Sequence, residues 1–138
     1  MSSLSFVLDA SVTLCWAFPD ESEPVGERAA EILQSPGGSA VVPALWWYEI
    51  RNVLIVGERR GRITPDGTAF FLNQVKALRI VTAPAPDDGV LLDLARRMKL
   101  TVSDAAYLAL AIEQNLPLAT SDKALQSAAR ANQIRLLQ

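Results

Sequence analysis

The chain contains no histidine and only one cysteine among its 138 residues. Without imidazole, the histidine-dependent ribonucleases, the Ser-His-Asp and Cys-His hydrolases and nearly all zinc sites are excluded. Cys15 cannot form an internal disulfide, and within the apolar segment LCWAF it is typical of a small core residue rather than a nucleophile. Any catalysis must therefore depend on carboxylates.

The sequence also lacks long hydrophobic runs and any excess of positive charge. No run approaches the roughly 18 apolar residues of a membrane span, and Asp9 interrupts the first apolar stretch where a signal peptide would need its core. We therefore expect a cytoplasmic protein. A net charge of −2 argues against binding of nucleic acid through bulk charge, so a phosphate-bearing substrate would need local arginines or metal ions.

Half of the residues are hydrophobic, which in a chain of this length suits one core. We expect a single domain, residues 1–138. Predicted strands alternate with predicted helices throughout, and the strands cover residues 4–8, 40–42, 80–82, 116–119 and 134–137. This order predicts an α/β fold, a three-layer α/β/α sandwich with a central, mostly parallel sheet and ligands at the carboxyl ends of its strands.

Residues 99–122, KLTVSDAAYLALAIEQNLPLATSD, place one acid at each end of a helix–strand unit. Thr101 is a suitable N-cap for an apolar helix that ends near Asn115, and Asp122 follows the next strand directly. Asp104, in the first helical turn, has a structural explanation as the partner of Thr101 in a capping box. It also has a functional one, because a helix N-terminus favours an acid and a phosphate or metal-bound hydroxide held close by.

Two further acids occupy comparable positions earlier in the chain. Asp9 follows the first predicted strand and is interpreted either as a helix N-cap or as a functional acid. Glu49 and Asn52 share one face of the mostly apolar helix 44–60, so we expect both to be partly buried. Because Arg51 lies off that face, a metal ion or an intramolecular network is favoured as the partner of Glu49.

Whole α/β units separate these four acids in the sequence, and we expect the acids to converge at one edge of the sheet. Neighbouring carboxylates repel one another unless divalent cations neutralise them, and oxygen ligands without imidazole or thiolate favour Mg²⁺ or Mn²⁺. One or two such ions could activate a water molecule, hold a phosphate oxygen and stabilise a leaving alkoxide. The pattern thus predicts phosphodiester hydrolysis by Asp9, Glu49, Asp104 and Asp122.

Positive charge is concentrated around the end of the helix 44–60. The group Arg51, Arg59, Arg60 and Arg62 could hold a phosphate backbone. The helix dipole alone would also favour basic residues at a helix C-terminus, and both explanations remain open.

The segments that carry these residues resemble the PIN domain (PilT N-terminus) and, within it, the VapC ribonuclease toxins. FVLDASV is similar to the family's first acid with its following Ser11, and PALWWYEIRNVL carries Glu49 and Asn52 in the family's E-x-x-N pattern. LTVSDAAYLALA supplies Asp104, and LATSDKALQ supplies Asp122 with Thr120 two residues earlier. The chain departs from many relatives at Ser103, where they have an aromatic residue, and at Ala124, where some have a further acid that would strengthen a second metal site.

The resemblance implies a Mg²⁺- or Mn²⁺-dependent endoribonuclease that acts as the toxin of a VapBC-type pair. Asp9, Glu49, Asp104 and Asp122 would then be both catalytic residues and metal ligands, and Ser11, Asn52, Thr120, Arg59 and Arg60 would support the site or contact the substrate. It further implies a homodimer, an antitoxin that blocks the active site, and structured RNA such as tRNA as the target.

Three other classes of protein share part of this pattern. A phosphatase of the haloacid dehalogenase type needs a second Asp two residues after the first, where this chain has Ser11, and a response-regulator receiver needs an acidic pair near the first strand. A catalytically weak PIN module that binds RNA or a protein partner is the remaining alternative. Metal-dependent cleavage of RNA distinguishes it from the enzyme.

Overall fold

The computed structural model describes residues 4–138. The first half of this range contains β1 (Ser5–Leu8), α1 (Ala10–Ala17), a 3₁₀ turn (Pro19–Glu21), α2 (Pro24–Gln34), β2 (Ser39–Pro43) and α3 (Leu45–Arg59). The second half contains α4 (Pro65–Lys76), β3 (Ile80–Ala83), α5 (Asp88–Met98), α6 (Val102–Gln114), β4 (Leu118–Ala119) and α7 (Lys123–Ala131).

The four strands form one parallel sheet in the order β3-β2-β1-β4. Phe6, Val7 and Leu8 of the inner strand β1 are all fully buried. Since successive side chains of a strand point to opposite faces, both faces of the sheet are covered. The predicted three-layer α/β/α arrangement with a parallel sheet is confirmed.

Helix α6 is the most deeply buried helix element, and it carries one of the candidate acids. Residues 105–111 are all buried, and the helix packs against β1 and β2 as well as α5 and α7. Small side chains at Ala105, Ala106, Ala109 and Ala111 allow this close approach on several sides. Across residues 4–138, no helix has both the length and the apolar character that crossing a membrane requires.

The last predicted strand, residues 134–137, is reduced to a single parallel bridge between Leu136 and Leu118. The amide of Leu118 donates to the carbonyl of Arg135, and the amide of Leu137 donates to the carbonyl of Leu118. Because β4 is only two residues long, it offers too little backbone for a longer ladder. Predicted strand 116–119 is correspondingly shorter in the structure, at Leu118–Ala119.

Candidate active site

The candidate acids lie around the carboxyl ends of β1 and β4, which are neighbours in the sheet. Strand β1 has β2 on one side and β4 on the other, so the chain leaves β1 towards one side of the sheet and later returns on the opposite side. Such a switch point opens a crevice at the carboxyl edge, where ligands of open α/β sheets bind. Asp9 follows β1, and its amide donates to the carbonyl of Ala119 at the end of β4, at 2.9 Å.

Two hydroxyl groups hold the carboxylate of Asp9. Ser11 Oγ donates to Asp9 Oδ2 at 2.7 Å, and Thr120 Oγ1 donates to the same oxygen at 2.6 Å. Asp9 is only 6% exposed. It occupies the N-cap position of α1, but its side chain makes no capping hydrogen bond. Its carboxylate is therefore committed to this crevice rather than to the helix end.

The same two hydroxyls accept hydrogen bonds from the segment after β4. Ser11 Oγ accepts from the amide of Ser121, and Thr120 Oγ1 accepts from the amide of Asp122, both at 3.0 Å. We call Asp9, Ser11 and Thr120 the hydroxyl bridge. It joins the end of β1 to the segment 120–122, and so places Asp9 and Asp122 in one region.

Glu49 is half-buried in the second turn of α3 and has a partner on α6. The hydroxyl of Tyr107 donates to Glu49 Oε1 at 2.5 Å. Sequence reasoning missed Tyr107, although two signals were present. A tyrosine within a buried helix needs a hydrogen-bond partner, and a residue three positions after Asp104 shares its helix face.

Asp104 and Asp122 both lie at helix N-termini, but their side chains are used differently. Asp122 is the N-cap of α7, and its Oδ1 accepts from the amide of Leu125 at 2.9 Å. For α6, the hydroxyl of Thr101 accepts from the amide of Asp104 at 3.1 Å. The Asp104 carboxylate also interacts with the Thr101 side chain, and this hydrogen bond lowers its pKa, although burial and the neighbouring charges raise it more.

Burial is the main cause of the raised pKa values of Asp9, Glu49 and Asp104. The four acids also act on one another. The negative charge of Asp122 raises the pKa of Asp9, and the charges of Asp9 and Asp104 raise that of Glu49. The charges of Asp122 and Asp9 raise the pKa of Asp104. The four carboxylates are thus electrostatic neighbours.

The donor set has the chemistry that a hard divalent cation prefers, because every candidate ligand is a carboxylate oxygen. In the part of the chain that the structure describes, no three acidic or cysteine side chains stand close enough to enclose an ion. The acids therefore surround the crevice without forming a closed cage. A bound cation would relieve the repulsion that contributes to the raised pKa values of Asp9, Glu49 and Asp104, so the residues present fit Mg²⁺ or Mn²⁺.

Asn52 is exposed, which corrects the expectation that it would be partly buried beside Glu49. It lines a groove between α1 and α3 together with Arg60. Both residues lie on the side of α3 that faces away from the core, because the buried positions of this helix are Trp46, Ile50, Leu54 and Gly57.

The four arginines proposed to hold a phosphate backbone do not form one group. Arg62 is ion-paired with Asp20 at 2.9 Å and with Glu21 at 2.7 Å. Arg51 donates to the carbonyl of Trp47 in its own helix at 2.9 Å. Arg59 and Arg60 are exposed and, within residues 4–138, form no ion pair. Arg59 and Arg60 therefore remain available to an anionic ligand, as the sequence predicts, and Arg62 is neutralised by its two acidic partners.

A parallel α/β sandwich with carboxylates gathered at the carboxyl edge of its sheet defines the general class of this protein. A profile of the PIN-domain family matches residues 6–131, and the chain belongs to this family. The fold is similar to that in the crystal structure of PAE2754 from Pyrobaculum aerophilum, with a TM-score of 0.67 and 23% sequence identity over 92% of this chain and 87% of that one. The search of curated proteins found no sequence that matches this chain.

PIN domains are generally metal-dependent nucleases, and membership of the family supports a nuclease-type function for this chain. The family typically uses divalent metal ions, in agreement with a donor set composed of carboxylates alone.

Proposed function

We propose that this chain is a single PIN domain, residues 1–138, that hydrolyses RNA as a Mg²⁺- or Mn²⁺-dependent endoribonuclease. The observation that carries the proposal is the mutual influence of four carboxylates at one sheet edge in a PIN-family chain that has no histidine. Asp9, Glu49, Asp104 and Asp122 would hold the metal. When bound, it would supply an activated water molecule and charge stabilisation for the leaving oxygen.

The protein's own groups have distinct tasks in this proposal. The hydroxyl bridge fixes Oδ2 of Asp9 through two hydrogen bonds. Arg59 and Arg60, ten and eleven residues after Glu49 in the sequence, lie about 15 Å farther along the helix direction. They are therefore placed to hold the RNA backbone several nucleotides from the cleaved bond, rather than at the bond itself.

We further propose that the protein is the toxin of a VapBC-type pair and acts in the cytoplasm. Its substrate would be a structured RNA such as tRNA, and it would form a homodimer and be blocked by a cognate antitoxin. The support for these points is the resemblance of its acidic segments to those of VapC proteins. Residues such as Asn52 and Arg60, which line the exposed groove between α1 and α3, are available to RNA or to an inhibitor.

Cleavage of a tRNA mixture by the purified chain tests the enzyme proposal. We expect cleavage with Mn²⁺ or Mg²⁺ and none with EDTA, because the chain has no histidine with which to perform metal-free acid/base catalysis. Asp9→Asn, purified in the same way, controls for contaminating ribonucleases. Undiminished cleavage in EDTA would refute the proposal, and metal-independent RNA binding without cleavage would favour the catalytically weak module instead.

The toxin assignment has a separate test in living cells. Induced expression of the chain should arrest growth, since cleavage of a structured RNA stops translation, and Asp9→Asn should not. Co-expression of the protein encoded by an adjacent small reading frame should restore growth. Normal growth under induction, with active enzyme recovered from the same cells, would leave a ribonuclease that is not a toxin.

A further inference from the structure

Tyr107 connects the two helices that carry candidate ligands. It lies on α6, three residues after Asp104, and its side chain is 0% exposed. Its hydroxyl reaches Glu49 Oε1 on α3, 58 positions earlier in the sequence, at 2.5 Å. Buried tyrosine hydroxyls need a partner, and the Glu49 carboxylate accepts the proton of this one.

The phenol acts on Glu49 as a neutral donor. A tyrosine hydroxyl ordinarily has a pKa of about 10, well above neutral pH. The group therefore keeps its proton and donates it to the carboxylate. A lysine or arginine in this place would neutralise Glu49 and compete with a cation, whereas a phenol holds the carboxylate and leaves its negative charge.

Glu49 has a second oxygen that remains available. Oε2 accepts no hydrogen bond from the described residues, while Oε1 is held by Tyr107. Glutamate has three rotatable side-chain bonds, and a partner that fixes one oxygen removes most of that freedom before a ligand arrives. Partners of this kind are known to govern how well metal ligands perform.

We propose that Tyr107 is a positioning residue that fixes the Glu49 carboxylate so that Oε2 stays directed to a divalent cation. This inference rests on the proposed metal-dependent function. It adds a residue outside the four acids, acting through Glu49 and not on the substrate.

Tyr107→Phe removes the hydroxyl and keeps the aromatic ring. We expect the affinity for Mn²⁺ to fall by about 10- to 100-fold, the usual effect of removing a partner of a metal ligand. The affinity is measured from the rise in melting temperature with Mn²⁺ concentration, a readout that does not involve RNA cleavage. Tyr48→Phe is the matched control, because Tyr48 is 78% exposed and adjacent to Glu49 in the sequence.

A double-mutant cycle with Glu49→Gln separates positioning from packing. If Tyr107 acts through Glu49, Tyr107→Phe should cause no further loss of Mn²⁺ response once Glu49 is an amide. If Tyr107 only fills the core, its effect should appear equally in EDTA and in both Glu49 backgrounds.

Each outcome separates this inference from the function on which it rests. Wild-type protein without any Mn²⁺ response would refute the metal site itself. A Mn²⁺-responsive wild type together with a Tyr107→Phe affinity within twofold of it would overturn the positioning role alone, as would equal losses in Tyr107→Phe and Tyr48→Phe.

If Tyr107→Phe does not fold, Glu49→Asp provides the decisive variant. It keeps the charge, but the side chain is one methylene shorter, which withdraws the carboxylate from the Tyr107 hydroxyl. We expect its Mn²⁺ affinity to fall by a similar factor. Full affinity in Glu49→Asp would overturn the proposal.

Discussion

Asp104 is the residue at which the structural and functional interpretations differ most clearly. Thr101 accepts the capping hydrogen bond from the Asp104 amide, while the Asp104 carboxylate lies near the like charges of Asp122 and Asp9 as well as near the Thr101 side chain. An acid that serves only its helix stabilises the fold with or without metal. An acid in a carboxylate cluster destabilises the metal-free fold and contributes when a cation binds.

Asp104→Ala should therefore be no less stable than wild type in EDTA, and could be more stable. Wild type should gain roughly 2.7 kcal/mol at a hundredfold excess of Mn²⁺ over its dissociation constant, and the variant should gain much less. Thermal melts of both proteins with EDTA and with Mn²⁺ supply the four values. An equal loss in both conditions, with the Mn²⁺ response intact, would show that Asp104 is a cap.

Asp87→Ala is the control for that experiment. Asp87 is the N-cap of α5 and accepts from the amide of Gly89 at 3.1 Å. It follows β3 by four positions and has no part in the acid cluster. Its replacement should cost about 1 kcal/mol in both conditions, the usual effect of removing a helix cap.

The raised pKa values of Asp9, Glu49 and Asp104 set the sign of the pH dependence. Between the ordinary and the raised pKa, the folded state binds more protons than the unfolded chain. The free energy of unfolding therefore falls as pH rises from the ordinary pKa values of these groups to their raised ones. Below the ordinary pKa values of about 4, the groups are protonated in both states and this loss of stability is absent.

In EDTA, the melting temperature of Asp104→Asn relative to wild type should therefore increase between about pH 4 and pH 7.5. The amide removes the charge that the folded site disfavours, so the advantage of the variant appears only where wild-type Asp104 is ionised. Melts over this pH range measure the difference. A difference that is constant with pH, or that declines, would contradict the raised pKa of Asp104.

At the residue scale, the sequence allowed the four acids to be proposed because each lies directly after a strand or in an early helical turn. It did not reveal Tyr107 as the partner of Glu49, because that contact depends on how α3 and α6 pack. The pairing of Arg62 with Asp20, 42 positions apart, was hidden for the same reason. Contacts between distant elements leave no local pattern of spacing.

At the element scale, α3 carries an acid near its start and two free arginines at its end. Arg59→Ala with Arg60→Ala should weaken RNA binding and reduce the slope of log affinity against log salt concentration by roughly one for each phosphate that the arginines bind. Filter binding of a catalytically inactive Asp9→Asn protein, over a series of salt concentrations, measures both quantities.

Lys76→Ala with Arg79→Ala is the matched control for this pair. These two exposed cations lie at and just after the end of α4, beside the start of β3, and so at the amino edge of the sheet away from the acids. The control should change RNA affinity much less. Equal effects of the two pairs, or no effect of Arg59 and Arg60, would mean that the end of α3 is only a solvated patch.

The helices were easier to predict from the sequence than the last strands. Thr101, Thr64 and Asp122 are N-caps as the residue types suggest, each accepting from an amide three positions later. Such caps are local and so are visible in the sequence. The apolar residues 134–137 predict a strand, but only one bridge forms there, because β4 is two residues long and offers little backbone for pairing. The length of β4 depends on contacts between distant elements and is not visible in the local sequence.

At the scale of the whole molecule, the alternation of strands and helices was sufficient to predict a parallel sheet. It did not predict the order β3-β2-β1-β4, since alternation alone leaves open the side of the sheet on which each crossover returns. That order brings the ends of β1 and β4 together. The shared location of Asp9 and Asp122 therefore depends on a feature that no single motif carries.

The hydroxyl bridge also has a consequence for the time at which the site can form during synthesis. Asp9 obtains one of its two donors from Thr120, 111 positions later, and the amide of Asp122 completes the connection. A nascent chain folds from its N-terminus as it leaves the ribosome, but Asp9 stays without its second donor until Thr120 has emerged. The ribosome therefore finishes most of this chain before Asp9 and Asp122 meet.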